Sequence, residues 1–254
     1  MPILKNEFPV LEYDSDVNAL VKNRHAGIKL PEKAVFAFTG DNTDVFAEAN
    51  NARIAVTLEL ITRNYNIYII KRSGQEICLL QAPMGAPAAV QNLDTLFLLG
   101  VKKVIATGSC GVLTDIPENR FIVPERALRA EGTSYQYIPA SRYIDLDRDT
   151  VNSLCGQLDK MCIPYERCTT WTTDCFFRET AEMVEYRRNE GCKVVDMECS
   201  ALAACAEFRG AKFAQLFFTA DSLADVKNYD RRSFGESSRE KALDICMDVI
   251  AGME

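Results

Sequence analysis

Residues 194–221 constrain the fold more than any other part of the chain; they read VVDMECSALAACAEFRGAKFAQLFFTAD. The stretch opens on a short β-branched run, residues 193–195. A segment with helical apolar spacing follows, marked by Met197, Ala201, Cys205 and Phe208. Arg209-Gly210 supplies a stop signal, and residues 213–219 form an apolar, aromatic run of strand length. The pattern predicts a strand–helix–strand unit with a carboxylate at each strand exit, Glu198 and Asp221. In an open α/β sheet, ligands bind outside the carboxyl ends of the strands. Local physics also accommodates a plainer arrangement: Asp196 as a helix N-cap, and Glu198 as a first-turn acid favoured by the helix dipole.

The rest of the chain bounds the chemistry. Its 254 residues suit one α/β domain or two small ones and suffice for a substantial core. A net charge of −7 argues against nucleic acid or an anionic membrane as the main partner. The 10 cysteines contain no C-x-x-C pair and read as reduced core residues of a cytoplasmic protein. The single histidine, His25, removes His-based metal sites and triads and reads as a surface or capping residue. The acidic N-terminal residues Glu7, Glu12, Asp14 and Asp16 do not look like a signal peptide, and no apolar run approaches bilayer length.

In order, residues 1–33 read as a polar N-terminal arm and residues 34–254 as the folded domain. Residues 34–39 form an apolar strand ending at Gly40-Asp41-Asn42, and residues 43–63 look helical, which puts Arg63 at a helix end. Residues 66–72 and 76–81 read as a hairpin turning at Ser73-Gly74. Met84-Gly85-Ala86-Pro87 opens a helix, with Pro87 well placed near its start. Residues 102–107 are a central strand, followed by Gly108-Ser109-Cys110-Gly111, a turn whose backbone N–H groups can approach an anion. Residues 121–124 form a short strand, and Ser134, Tyr135 and Tyr137 fit either a pocket lining or a polar loop. A further strand runs into Thr172-Thr173-Asp174, ahead of Phe176-Phe177. Residues 239–253 close the chain as a helix with Ala242, Ile245, Cys246, Val249 and Ile250 on one stripe.

Val195-Asp196-Met197-Glu198, the small-residue helix after it and Thr219-Ala220-Asp221 together resemble the nucleoside phosphorylase family, which holds purine nucleoside phosphorylases, uridine phosphorylases and related nucleosidases. The Gly-Ser-Cys-Gly run, Gly40-Asp41 and the Thr-x-Asp-x-Phe-Phe form of residues 172–177 add to the likeness. The resemblance implies a single α/β domain with a mixed central β-sheet flanked by helices in three layers. It implies phosphate-dependent cleavage of a purine or uridine-type nucleoside to free base and ribose 1-phosphate, a pentosyltransferase reaction. Met197 and Glu198 would hold the ribose, Asp221 would exchange a proton with the base, and Phe176 would stack on it. Gly40 and Ser109 would bind phosphate, joined by Arg63 borrowed from a neighbouring subunit of a homodimer or homohexamer. No cofactor or metal is implied; inorganic phosphate is the co-substrate.

Two cations of that pattern are absent: Asp44 and Ala106 stand where many members carry arginine. The uracil-gripping Gln and Arg are likewise absent, Arg178 being out of step, and either Arg231 or Arg232 could support Asp221. Three readings stay open: a phosphorylase, a hydrolytic nucleosidase with water as nucleophile, and a catalytically silent nucleoside-binding protein. Purine against pyrimidine, and ribose against deoxyribose, also stay open.

Overall fold

Alternating strand-length and helical-period segments fold into one mixed β-sheet of ten strands with six α-helices around it. The computed structural model describes residues 3–25 and 27–253. In chain order the elements are β1 (Lys33–Phe38), α1 (Asn42–Ala49), β2 (Arg53–Glu59), β3 (Asn64–Arg72), β4 (Gln75–Gln81) and α2 (Ala86–Leu98). Then come β5 (Lys103–Val112), β6 (Phe121–Ala130), β7 (Tyr143–Asp145), α3 (Arg148–Lys160) and β8 (Tyr165–Thr173). The chain finishes with α4 (Ala181–Asn189), β9 (Cys192–Asp196), α5 (Cys199–Phe208), β10 (Lys212–Ser222) and α6 (Arg239–Gly252).

The strand order is β10-β6-β8-β9-β5-β1-β4-β3-β2, with β7 on β6. β10 also pairs with β5 in parallel, from Lys212 beside Lys103 to Ser222 beside Val112. That second pairing closes β5, β9, β8, β6 and β10 into a ring, while β1, β4, β3 and β2 continue as an open sheet. α6 packs on β1, β5 and β10 and against α1 and α3; α2 and α5 pack on one another elsewhere on the sheet. The expected α/β domain with a mixed sheet flanked by helices is present, and the ring is an addition to it. No helix among the described residues is long and apolar enough to cross a membrane. All ten cysteines are free thiols, and only Cys162 and Cys175 are exposed.

Two local expectations are overturned. The helix expected over residues 43–63 ends at Ala49, because Asn50 and Asn51 stop it, Asn51 in the left-handed region at φ 51°. β2 follows, with Val56 and Leu58 inward and Thr57 and Glu59 turned outward. Arg63 therefore sits in the β2–β3 connection, not at a helix end. Gly108-Ser109-Cys110-Gly111 is likewise no turn: it lies within β5, and neither glycine has positive φ. Gly108 is needed for space, since a Cβ there would lie 2.7 Å from Cβ of Phe38 on the neighbouring β1. The hairpin is as expected, with Ser73 and Gly74 both at positive φ between β3 and β4. In the N-terminal segment Leu4 bridges Tyr13, and the Val17 carbonyl accepts from Arg209.

Candidate active site

Asp196 ends β9, an interior strand between β8 and β5, and its buried carboxylate is fully engaged. Oδ1 accepts from the hydroxyls of Thr170 and Thr172 at 2.8 and 2.9 Å. Oδ2 accepts from the backbone N–H groups of Glu198 and Cys199 at 2.7 and 2.6 Å. The N-cap position expected at Asp196 falls at Glu198 instead, and Asp196 serves the first N–H groups of α5 from two residues ahead of it. With the cap already supplied, Glu198 is released from ordinary first-turn duty. Its side chain turns away and accepts from the backbone N–H of Gly85 at 2.6 Å. Gly85 immediately precedes α2 and has φ 94°, a conformation suited to glycine. The carboxylate of Glu198 therefore meets the positive end of the α2 dipole. Even so, burial, and then the charge of Asp196, push the Glu198 carboxyl up to about 8, with the Gly85 N–H opposing.

Glu198 opens onto a cavity of about 760 Å³, a volume suited to a small organic ligand. Gly40, Ser109, Phe176, Met197 and Asp221 line the same cavity. The topology explains the convergence. Gly40 follows β1, Ser109 lies on the adjacent β5, and Asp221 lies on β10, which pairs with β5. Asp221 is within its strand rather than beyond it. Its carboxylate accepts from the Tyr229 hydroxyl at 3.0 Å. Burial raises the Asp221 carboxyl, opposed by Tyr229, its own backbone N–H and the charge of Arg232. Of the two loop arginines, Arg232 is the one tied to this strand, donating to the Ala220 carbonyl at 3.3 Å. Arg231 instead stacks on Phe234. Phe176 lies against Phe177 with ring centroids 4.1 Å apart, at the entrance.

The charge around the cavity is one-sided. Glu179, Asp196, Glu198, Asp221 and Asp225 line it, with no Lys, Arg or His among the described lining residues. Arg63 is not brought to it. The Arg63 guanidinium lies 3.8 Å from Asp41 and 3.6 Å from Asp44 of its own chain, above the Tyr65 ring. Ser134, Tyr135 and Tyr137 do not line this cavity; Ser134 is buried in a short helical turn, and Tyr137 packs on the core and lines a separate cavity. Ser134 accepts from Arg129, Tyr135 donates to the Arg129 carbonyl, and Tyr137 donates to Asp94.

Several lining residues escape the sequence reading, among them Glu179, Asp225, Tyr229, Gln81 and Gln215. Gln215 carried a signal, being the polar residue in the middle of the apolar run from Phe213 to Phe218. Glu179 carried none, standing in a polar segment where a solvated acid is ordinary. No group of His, Cys, Asp or Glu arranged to hold a metal occurs among the described residues.

Three comparisons bear on this arrangement. The family model described as "Phosphorylase superfamily" matches residues 32–251. A guanosine phosphorylase of Halorubrum lacusprofundi is 24% identical over 189 residues, which are 73% of this chain and 78% of that protein. The solved uridine phosphorylase of Vibrio fischeri superposes with a TM-score of 0.77 at 22% identity, over 92% of this chain and 98% of its own. The solved AMP nucleosidase of Bacteroides thetaiotaomicron gives a TM-score of 0.71 at 21% identity, over 87% and 88% of the two chains. At these identities the two structures speak for the fold.

Proposed function

The chain belongs to the phosphorylase superfamily, and from that premise we propose that it breaks the N-glycosidic bond of a nucleoside. The observation that carries this reading is the setting of Glu198: buried, fixed by the Gly85 N–H, and facing a cavity also lined by Ser109 and Asp221. Cleavage of a nucleoside proceeds through an oxocarbenium-like ribosyl group. A fixed carboxylate accepting from both ribose hydroxyls orients the sugar and favours its developing positive charge. Glu198 takes that role in its ionised form, which hydroxyl donors of a bound sugar favour against its burial, with Met197 packed on the sugar. Phe176 covers the base. Asp221, held by Tyr229, delivers a proton to the departing base, so that the electron pair of the broken C–N bond leaves on a neutral ring.

In the phosphorolytic form of the reaction, inorganic phosphate attacks the anomeric carbon and ribose 1-phosphate is released. Gly40 and Ser109 hold the anion, and Arg63 of a second subunit supplies the missing cation in a homodimer or homohexamer. The acid-lined cavity favours a second form in which water attacks and free ribose is released. A phosphate dianion beside five carboxyls and no lining cation is electrostatically disfavoured, whereas water is not. Release of free base from a panel of ribo- and deoxyribonucleosides, with and without phosphate, tests the proposal. Strict phosphate dependence supports the transferase, phosphate-independent release the hydrolase. Binding without turnover would overturn both.

A further inference from the structure

Glu179 and Asp225 are the cavity carboxyls left without work by the reaction above, and of the two Glu179 is the less exposed. It sits between the turn at Phe176–Arg178 and α4, its backbone N–H bonded to the Phe176 carbonyl. Its carboxyl lines the cavity and has no hydrogen-bond or ion-pair partner among the described residues. It lies at the aromatic end, close enough to Asp221 and Asp196 for their charges to act on it, and Tyr229 feels its charge in turn. Gln81 and Gln215 line the same cavity, but the buried amide oxygen of each, which has no partner, is closed off from it. Glu179, Asp221 and Asp225 bring carboxyl groups to the cavity, and no lining cation among the described residues competes for them.

Resting on the nucleoside reading, we propose that Glu179 is a base-recognition residue that accepts a hydrogen bond from an exocyclic amino group, so that the site selects aminated bases over their oxo counterparts. Glycosidic chemistry itself does not demand this. An oxo group turned toward the ionised Glu179 sets oxygen lone pairs against oxygen lone pairs, whereas an amino group offers two donors. A site built to bond one group rejects the analogue lacking it strongly, because its buried polar atoms are then left unpaired. Burial, then Asp221 and Asp196, push the Glu179 carboxyl up to about 8. Near neutral pH it therefore retains a proton and tolerates an oxo group in part. As it ionises it becomes a pure acceptor, and the preference for the amino group sharpens. Asp221 on β10, Asp196 on β9, and Asp225 and Tyr229 in the loop after β10 are the titratable groups lining this end.

The test compares adenosine with inosine and cytidine with uridine, pairs in which an amino group is exchanged for an oxo group and the adjacent ring nitrogen gains a hydrogen. Cleavage is followed from pH 6.5 to 9 in the wild-type protein, Glu179→Leu and Glu179→Gln. The amino member of the cleaved pair should lead by about tenfold or more, and the lead should widen with pH. Glu179→Leu should reduce the lead to within about threefold by slowing the amino member. Glu179→Gln, which offers both a donor and an acceptor, should accept both members and lose the pH trend. Calorimetric titration with adenine and hypoxanthine gives the same comparison without turnover, and thermal melting checks that each variant is folded. Equal cleavage of both members, or an unchanged lead in Glu179→Leu, would remove Glu179 from recognition while glycosidic cleavage stands. No cleavage of any of the four, with neither base bound, would overturn recognition and the nucleoside reading together.

Discussion

The Oε1 atom of Glu198 accepts from the backbone N–H of Gly85 at 2.6 Å, and that contact joins the starts of α5 and α2. Each helix start lends something different. α5 brings the carboxylate, with its own capping left to Asp196; α2 brings the donor and the positive end of its dipole. The carboxylate is thereby aimed before any ligand arrives.

Replacing Glu198 by Gln removes the ability to ionise when the sugar binds but keeps the shape and the reach to ribose hydroxyls. The loss falls on the transition state, so kcat/KM should drop by at least about tenfold while the fold persists. Steady-state kinetics beside a thermal melt checks this; unchanged kinetics would remove Glu198 from the reaction.

Asp221→Asn should harm purine nucleosides more than uridine. Purines gain from protonation of the departing ring, whereas uracil leaves as a resonance-stabilised anion. The ratio of kcat/KM for a purine nucleoside and uridine is the readout, and equal losses would make Asp221 structural.

Arg63 pairs with Asp41 and Asp44 of its own chain and does not line the cavity, so the phosphorylase reading proposed above draws it from a second subunit. Arg63→Ala should raise the apparent KM for phosphate by roughly ten- to a hundredfold, the worth of one charge-assisted contact. A phosphate titration beside light scattering decides; a monomer, or an unshifted curve, moves weight to the hydrolase.

Stability should fall as pH rises from about 5 to about 8. Glu179 and Glu198 titrate near 8 in the folded protein against 4.5 as free side chains. The folded state therefore holds more protons in that window, and the stabilisation present below the unfolded value is lost on approaching the folded one. Melting temperature against pH should slope downward, and less steeply in Glu179→Gln. An upward slope across the window would contradict the raised carboxyls.

Gly108→Ala places a methyl 2.7 Å from Cβ of Phe38, atoms of two central strands with little freedom to part. Overpacking of this kind costs about 1–3 kcal/mol, measurable by denaturant unfolding.

Sequence made the apolar strands, the hairpin and the strand–helix–strand unit around Glu198 plain, because each has a period or a punctuation of its own. β2 was hidden because its alternation covers few residues and follows a true helix without Gly or Pro between. Gly108 was misleading for a different reason. A glycine kept to admit a neighbouring side chain looks the same in one dimension as a glycine kept for a turn, and only the placement of Phe38 distinguishes them. Glu198 and Asp221 were legible through their strand exits, whereas Glu179 acquires its surroundings from β9 and β10 and has no local mark.

The closing strand has a consequence for how the protein comes to exist. β10 seals the ring by pairing with β5, more than a hundred residues earlier, and the same strand carries Asp221. Pairings this distant in sequence form late, since the intervening chain must be ordered before they are rewarded. During synthesis the ribosome releases β1 to β9 and α5 with the β5 edge still unsealed. The acid proposed to protonate the base and the last structural seam then arrive in one event, so a chain cut short before residue 212 lacks the seam and the acid at once.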